Sequence, residues 1–401
     1  MKKIIAIILI LALIFTFAAC GNNTANNGED NNEPQTQDGG EETQEGEDAQ
    51  EGGEDAQEGE DESKQTNPIS GLTGNTSELS LGSVHSIPVE EGVAKLCDLV
   101  EEYSTGTVII KENTEDNPVS GKKRLQKVID GELDIAIGLS DDFAPIIKDL
   151  HVFDMYYLFE SKEEVHNVVL TTEMADALQA SFEKYGLKCL SLWGNGFREL
   201  TTNKKKVKKP ADLKKLKIAT STSEIDEVAW EAMGAKAVTM KASKRAKAIE
   251  KKKIDGQESD LDTIINEEYQ NLEKYCILTN HTYSPYVVVM NLEKYNSLSE
   301  IQRKALMDSV VYARNLELER CDAYNKYAMD LIDKSEMNLI ELTEKQKQIF
   351  QKKIKAAKIR SKVRKLMDDP EILKYLEGKL EVYRVESTTD ETEEVTIDFS
   401  D

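Results

Sequence analysis

Apolar positions along the chain fall into short alternating runs separated by stripes of helical period. Residues 78–82 alternate like a short strand and lead into a loop that carries His85. Val93, Leu96, Cys97 and Val100 follow at i, i+3, i+4 and i+7, which predicts an amphipathic helix closed by Gly106. Residues 107–110 read as a strand. Residues 121–130 read as a helix on Leu125, Val128 and Ile129 that stops at Gly131, and 133–137 as a buried strand. Further strands are predicted at Leu187–Trp193, Lys217–Thr220, 237–240 and 285–290, with helices between them. The alternation predicts an α/β fold with a mostly parallel sheet. After Ser299 the pattern becomes helical alone. Ser299 and Gln302 form a capping box, and Leu306, Val310, Ala313, Cys321, Tyr324, Ala328 and Ile332 keep one stripe. That stripe lasts about nine turns, long enough to span two domains. Residues 343–366 predict another helix, with Phe350, Ile354 and Ala357 packed and ten lysines and arginines on its other faces. A solvated face is expected there; a membrane or partner surface is the alternative.

Charge changes the picture at the two ends. The 401 residues carry a net charge of −24, yet residues 21–67 hold 16 Asp and Glu against one Lys, and residues 386–401 hold seven against none. The body between is nearly balanced, without the basic footprint that a nucleic-acid partner requires. Its roughly 310 residues exceed one core, so two domains are expected. Met1-Lys2-Lys3 followed by an apolar run over residues 4–19 reads as a signal peptide, short of the ~20 residues of a comfortable span. Phe17-Ala18-Ala19-Cys20-Gly21 resembles a bacterial lipobox, which implies a lipidated Cys20 and a membrane anchor; a plain signal peptide is the alternative. Residues 46–52 recur as 53–59 without apolar positions, so residues 20–67 read as a disordered acidic tether with a reach of roughly 40 Å. The tail, 386–401, is expected to be disordered too. Cys97, Cys189, Cys276 and Cys321 sit in apolar stretches with no C-x-x-C spacing and are expected to be buried thiols.

The most informative segment is Trp193-Gly194-Asn195-Gly196-Phe197-Arg198-Glu199-Leu200-Thr201-Thr202-Asn203, followed by Pro210-Ala211-Asp212-Leu213 and Leu216-Lys217-Ile218. With Asp255-Gly256-Gln257-Glu258, Thr279-Asn280-His281 and Val152-Phe153-Asp154-Met155-Tyr156-Tyr157-Leu158-Phe159, it resembles the DctP-type solute-binding proteins of tripartite ATP-independent periplasmic (TRAP) transporters. Tyr156 stands where that family usually has Pro. The resemblance covers roughly residues 78–385. It implies a two-lobed, periplasmic-binding-protein-like α/β fold with a long helix across both lobes and a solute held in the cleft between them. Lobe one is expected at 68–200, lobe two at 201–290, and the spanning and completing helices at 291–385. The implied partners are a small solute and the small and large membrane subunits of the permease. A sensor lipoprotein or an ABC-type receptor is the alternative.

The same resemblance exposes departures. The family's Lys-Gly-Leu-Lys-Ile-Arg, whose Arg clamps a carboxylate, is here Lys214-Lys215-Leu216-Lys217-Ile218-Ala219, and its Gln-Glu-Asn is Gln257-Glu258-Ser259. Without that clamp, simple C4-dicarboxylates are expected to bind poorly. Candidate solute contacts are Arg198, Ser259, Asp142, His85, His281 and Trp193, most of them where strand ends meet the expected cleft. Arg198 has a second reading, as an ion pair with Glu199 or Glu258, and Trp193 and His281 as core residues. Asp255 and Gly256 are read as shaping a turn. Four histidines without metal spacing, and no nucleophile elbow, phosphate loop or HExxH, argue against an enzyme and call for no metal or cofactor.

Overall fold

The computed structural model describes residues 76–393, with side chains to residue 388. The expected signal peptide, Cys20, the acidic tether and residues 394–401 lie outside the described residues. In chain order the strands are β1 (Ser77–Gly82), β2 (Val108–Glu112), β3 (Ile135–Leu139), β4 (Leu187–Trp193), β5 (Arg198–Thr202) and β6 (Lys217–Thr220). Then follow β7 (Lys236–Thr239), β8 (Gly256–Asp260), β9 (Tyr275–Leu278), β10 (Tyr286–Asn291) and β11 (Asn338–Glu341). They form two sheets, β2-β1-β3-β10-β4 and β11-β9-β5-β8-β6-β7. Each sheet is parallel except for one strand, β10 in the first and β5 in the second, which runs against both of its neighbours.

Sheet membership departs from the expected boundaries. β10 lies inside the first sheet, between β3 and β4, although residues up to 290 were expected in lobe two. β5 begins at Arg198, inside the range expected for lobe one, and pairs only in the second sheet. A local hydrophobic pattern reveals that a strand exists, while its neighbours are set by contacts far away in sequence.

Packing shows how the long helix spans the molecule. It runs over Glu300–Lys334 and is opened by the Ser299–Gln302 capping box. Leu306, Val310 and Ala313 pack with Val93, Leu96 and Val288 over the first sheet. Ala328 and Ile332, further along the same stripe, pack with Ala219, Ile264 and Cys276 over the second. Each such aliphatic side chain contributes about 1.5–3 kcal/mol on burial, so the helix is tied into both lobes. Gly92, on helix Ile87–Tyr103, lets that helix approach closely: a Cβ there would meet Trp193 Cζ3 at 2.8 Å and Glu317 Cβ at 2.9 Å.

The region expected as one helix over 343–366 is two, Glu344–Ala356 and Ile359–Leu366, broken where Lys358 takes φ 57°. Phe350 and Ile354 are buried as expected. The final helix, Glu371–Glu393, continues past Val385 into the segment expected to be unstructured. Cys189, Cys276 and Cys321 are buried free thiols, and Cys97 is partly buried.

Candidate ligand-binding site

The chain passes between the sheets at residues 194–197 and 279–285. These crossovers are pinned to each other and to the long helix. Asn195 donates its amide N–H to Tyr283 Oη at 2.8 Å and its Nδ2 to Ser284 O at 3.1 Å. From the helix, Asn325 Nδ2 donates to Asn195 O at 2.9 Å, as does the Cys321 thiol, and buried Glu317 accepts from Gly194 N at 2.7 Å. Burial pushes the Glu317 carboxyl well up, which favours the neutral acid. A hollow of about 650 Å³ lies against this junction, lined by Phe197, Glu199, Asn280 and Asn325 among others.

Arg198 opens β5 directly after the first crossover. Register pairs it with Asp260 and pairs Glu199 with Ser259, so Arg198 and Glu258 project from one face of the sheet and Ser259 from the other. Arg198 Nε donates to Glu258 Oε2 at 2.6 Å, Nη2 donates to Glu258 O at 3.2 Å, and Nη1 lies 3.8 Å from Asp260. Glu258 is shared. Arg245 Nη2 lies 3.3 Å from Oε1, and His281 Nε2 lies 3.6 Å from Oε2, an electrostatic contact too long for a hydrogen bond. Burial alone would raise the Glu258 pKa, but Arg198, His281 and Arg245 outweigh it and hold the carboxyl well below the usual range. Burial likewise opposes the Arg198 charge, and Glu258 overrides it, so the guanidinium stays protonated. The ion-pair reading of Arg198 therefore holds with Glu258. Its Nη1 edge faces the acids Asp260 and Asp141.

Around this pair the two lobes touch. Tyr156 Oη, from the segment after the first sheet's β3, donates to Asp226 Oδ1 at 2.9 Å on helix Glu224–Met233. Tyr156 also stacks on His281 with centroids 5.3 Å apart, and Trp230 meets that imidazole edge-on at 5.2 Å. His281 is fully buried, its Nδ1 2.8 Å from Thr279 Oγ1, and burial lowers its pKa so that the ring stays neutral. Desolvation pushes Asp141 and Asp226 up to about 7; Asp142 reinforces the rise for Asp141, and Glu258 for Asp226.

The other candidate residues are scattered. Ser259 is 2% exposed and its hydroxyl has no hydrogen-bond partner. Asp142 is exposed and turned toward the start of helix Gly121–Ile129, where it accepts from the Gly121 amide. His85 is exposed, 3.4 Å from Glu90. Trp193 belongs to the first lobe's core and not to a pocket wall. Gly256 sits at the start of a paired strand rather than in a turn, and a Cβ there would lie 2.2 Å from Thr201 O. Two side chains of this buried cluster were not singled out by the sequence reading. Glu258 entered it as part of a motif and as a partner for Arg198, not as a carboxylate that two arginines share. Arg245 was missed, though it was legible as the one arginine of a lysine-rich stretch that sits at i to the apolar Ala248 and Ile249. Among the described residues no group of three or more His, Cys, Asp or Glu is arranged to hold a metal ion. Nor is any helix there long and apolar enough to cross a membrane.

Comparison with known proteins completes the description. Residues 83–361 match the family described as bacterial extracellular solute-binding protein, family 7. The 2,3-diketo-L-gulonate-binding periplasmic protein YiaO of Escherichia coli is 31% identical over 223 residues, 56% of this chain and 68% of that one. The C4-dicarboxylate-binding periplasmic protein DctP of Rhodobacter capsulatus is 27% identical over 237 residues, 58% and 71% of the two chains. Among solved structures, a TRAP periplasmic solute-binding protein from Ochrobactrum anthropi, with its C-terminus bound in the ligand-binding pocket, superposes with a TM-score of 0.72 at 26% identity. That superposition covers 78% of this chain and 97% of the other.

Proposed function

The chain belongs to the bacterial extracellular solute-binding proteins of family 7, and from that premise we propose how it serves as the solute receptor of a TRAP transporter. A small polar solute enters between the two sheets, and the lobes close on it about the crossovers at 194–197 and 279–285. The closed receptor presents the solute to the small and large membrane subunits of the permease. No covalent step occurs; closure is the only mechanical event, and the work of transport is done by ion gradients across the membrane subunits. Cys20 carries the lipid that holds the receptor at the outer face of the cell membrane, and residues 20–67 act as the tether.

The observation that carries this reading is the Arg198–Glu258–Arg245 cluster. It is a buried, charged constellation at the strand ends, beside the crossovers, where an open α/β fold places its ligands. Relatives whose names specify 2,3-diketo-L-gulonate and C4-dicarboxylates support a small organic acid as the solute. Small-angle scattering of the mature chain with a saturating ligand tests the mechanism: the radius of gyration falls on binding. Unchanged dimensions at saturation would rule out the closing cleft.

A further inference from the structure

Two basic stretches of the second lobe stand outside the site described above, and the fold brings them together. Residues 204–215 join β5 to β6 and hold seven lysines against one acid, Asp212. Residues 343–366 follow β11 and hold ten lysines and arginines against one acid, Glu344. Helix Glu344–Ala356 packs directly on the turn Pro210–Leu213. Val207 and Leu213 from the one stretch and Phe350 and Ile354 from the other are buried in a single core, which leaves the charged side chains on the outside. Among the described residues, Lys204, Lys347 and Arg360 are the only ones of these cations in ion-pair contact with a carboxylate, from Asp255, Glu344 and Glu377. The body as a whole is nearly balanced, so the acids that offset the rest lie elsewhere on it. The second lobe presents one strongly positive face.

Two details separate this face from a merely solvated one. Ile349 is 44% exposed, and Lys345, Lys352 and Lys353 flank it at i−4, i+3 and i+4 of the same helix. An aliphatic side chain among ammonium groups is the arrangement of a helix that lies in a bilayer interface. Where the chain turns at Lys358, a hollow of about 550 Å³ is lined by Lys358, Arg360, Ser361, Arg364 and Lys365. Helix Ile359–Leu366 begins at this hollow with no side-chain cap on its amide groups, a terminus that favours an anion. Glu377 engages Arg360, whose Nε donates to Oε1 at 2.6 Å, and Lys358, Arg364 and Lys365 remain for another partner.

Composition selects that partner. Arg360 and Arg364 are the only arginines among these cations, and Phe350, the one aromatic residue of the two stretches, is buried. Protein interfaces are the reverse, rich in arginine and aromatic side chains and poor in lysine. Flexible lysines spread over a wide face suit a smeared layer of phosphates. We infer that this face docks on anionic phospholipid headgroups, with Ile349 entering the interface and the hollow at Lys358 taking one headgroup phosphate. Docking orients the receptor with its second lobe toward the membrane. It depends on the extracytoplasmic placement of the receptor and not on the identity of its solute.

Co-sedimentation tests it, with the mature chain, residues 20–401, prepared without a lipid. One set of vesicles is phosphatidylcholine alone and the other equal parts of phosphatidylcholine and phosphatidylglycerol. A chain of net charge −24 is repelled by the anionic set unless this face leads. At low salt the chain is expected to bind the anionic vesicles and not the neutral ones, and to come off as salt screens the contact. Each lysine near a charged bilayer is worth about five-fold in partitioning, so Lys352→Gln with Lys353→Gln weakens binding by about 10- to 30-fold. The matched pair Lys122→Gln with Lys123→Gln, on helix Gly121–Ile129 of the first lobe, costs less than about two-fold. Ile349→Ser weakens binding several-fold and leaves its salt dependence as it was. All five side chains are exposed, so the variants keep their fold. No binding to anionic vesicles at low salt, equal binding to neutral ones, or equal losses from the two lysine pairs would overturn the surface. Unchanged binding by Ile349→Ser would overturn the insertion. Binding to soluble polyglutamate but not to vesicles would assign the face to an acidic protein and overturn the lipid reading.

Discussion

Replacing Glu258 by Gln keeps the shape of the side chain and removes the one charge that two arginines share. In the wild type the carboxylate is 1% exposed, accepts from Arg198 Nε at 2.6 Å, and lies 3.3 Å from Arg245 Nη2. The amide leaves Arg198 with Asp260 at 3.8 Å and Asp141 as its remaining acids, and Arg245 with only the Glu258 carbonyl and the Gln257 amide. Removing one partner of a buried ion pair costs about 3–5 kcal/mol, because the remaining charge is left uncompensated. For a body of this size 1 kcal/mol corresponds to roughly 2 °C, so the melting temperature should fall by about 6–10 °C. Calorimetry at pH 7.5 checks this, run at low and at high salt. Because the pair is buried, the loss should be nearly the same in both, unlike that of a surface pair. A fall of under about 2 °C, or one that vanishes in high salt, would show that the cluster is solvated and that its geometry does not hold the cleft.

Three further outcomes follow from other parts of the molecule. Cys20→Ser should leave unprocessed precursor or release the mature body from the membrane fraction; processing and membrane retention as in the wild type would refute lipidation at that residue. Gly256→Ala drives a Cβ into Thr201 O and disrupts the β5–β8 ladder, so denaturant melts should show a loss of at least about 3 kcal/mol or no folded protein. A near-neutral result would mean that the strands can separate there at little cost. Burial raises Glu199 and Glu273 to about 8 and Asp262 to about 7. Folded-state values above the unfolded ones, near 4, mean stability that is full at low pH and lost as pH rises through 7 to 8. His281, lowered by burial, works the other way only below about 6.5. The melting temperature of the solute-free protein should therefore fall between about pH 6 and 8.5, and a steady rise over that range would refute the assignment.

How much of this was readable beforehand depended on the range of the forces involved. The long helix was legible from Ser299 to Ile332, because its cap and its stripe are local and buried as spaced. β8 was recognised as a motif but not as a strand. Gly256, Gln257, Glu258, Ser259 and Asp260 are all buried, yet none is an apolar alternator: Arg198, Arg245 and Thr201 bond Glu258 and Gln257, and Asp260 caps the next helix. The break at Lys358 gave no signal either, because a lysine, and not a glycine, takes the left-handed turn. At the site, the Arg198 motif was visible and its buried partner half visible. Trp193 and His85 were drawn in by their positions at strand ends, and only packing and exposure separate them from the cleft. Arg245 was hidden among lysines because its importance comes from a rung that β6 fails to supply.

The place of β10 has a consequence for the order in which the molecule can be built. In the first sheet β4 touches no strand except β10, and β3 meets β4 only through it. A chain emerging from the export channel with its N-terminus first delivers β4, then the five strands β5 to β9 of the other sheet, and only then the strand that joins β3 to β4. Until Tyr286 has passed, both facing edges stand open, the condition in which strands recruit foreign partners. The late closure is also a long-range one, slow because the intervening loop must be ordered first. The first lobe therefore cannot mature ahead of the second: the half that is translocated first is finished last, and its safety in the meantime depends on how quickly the remainder arrives.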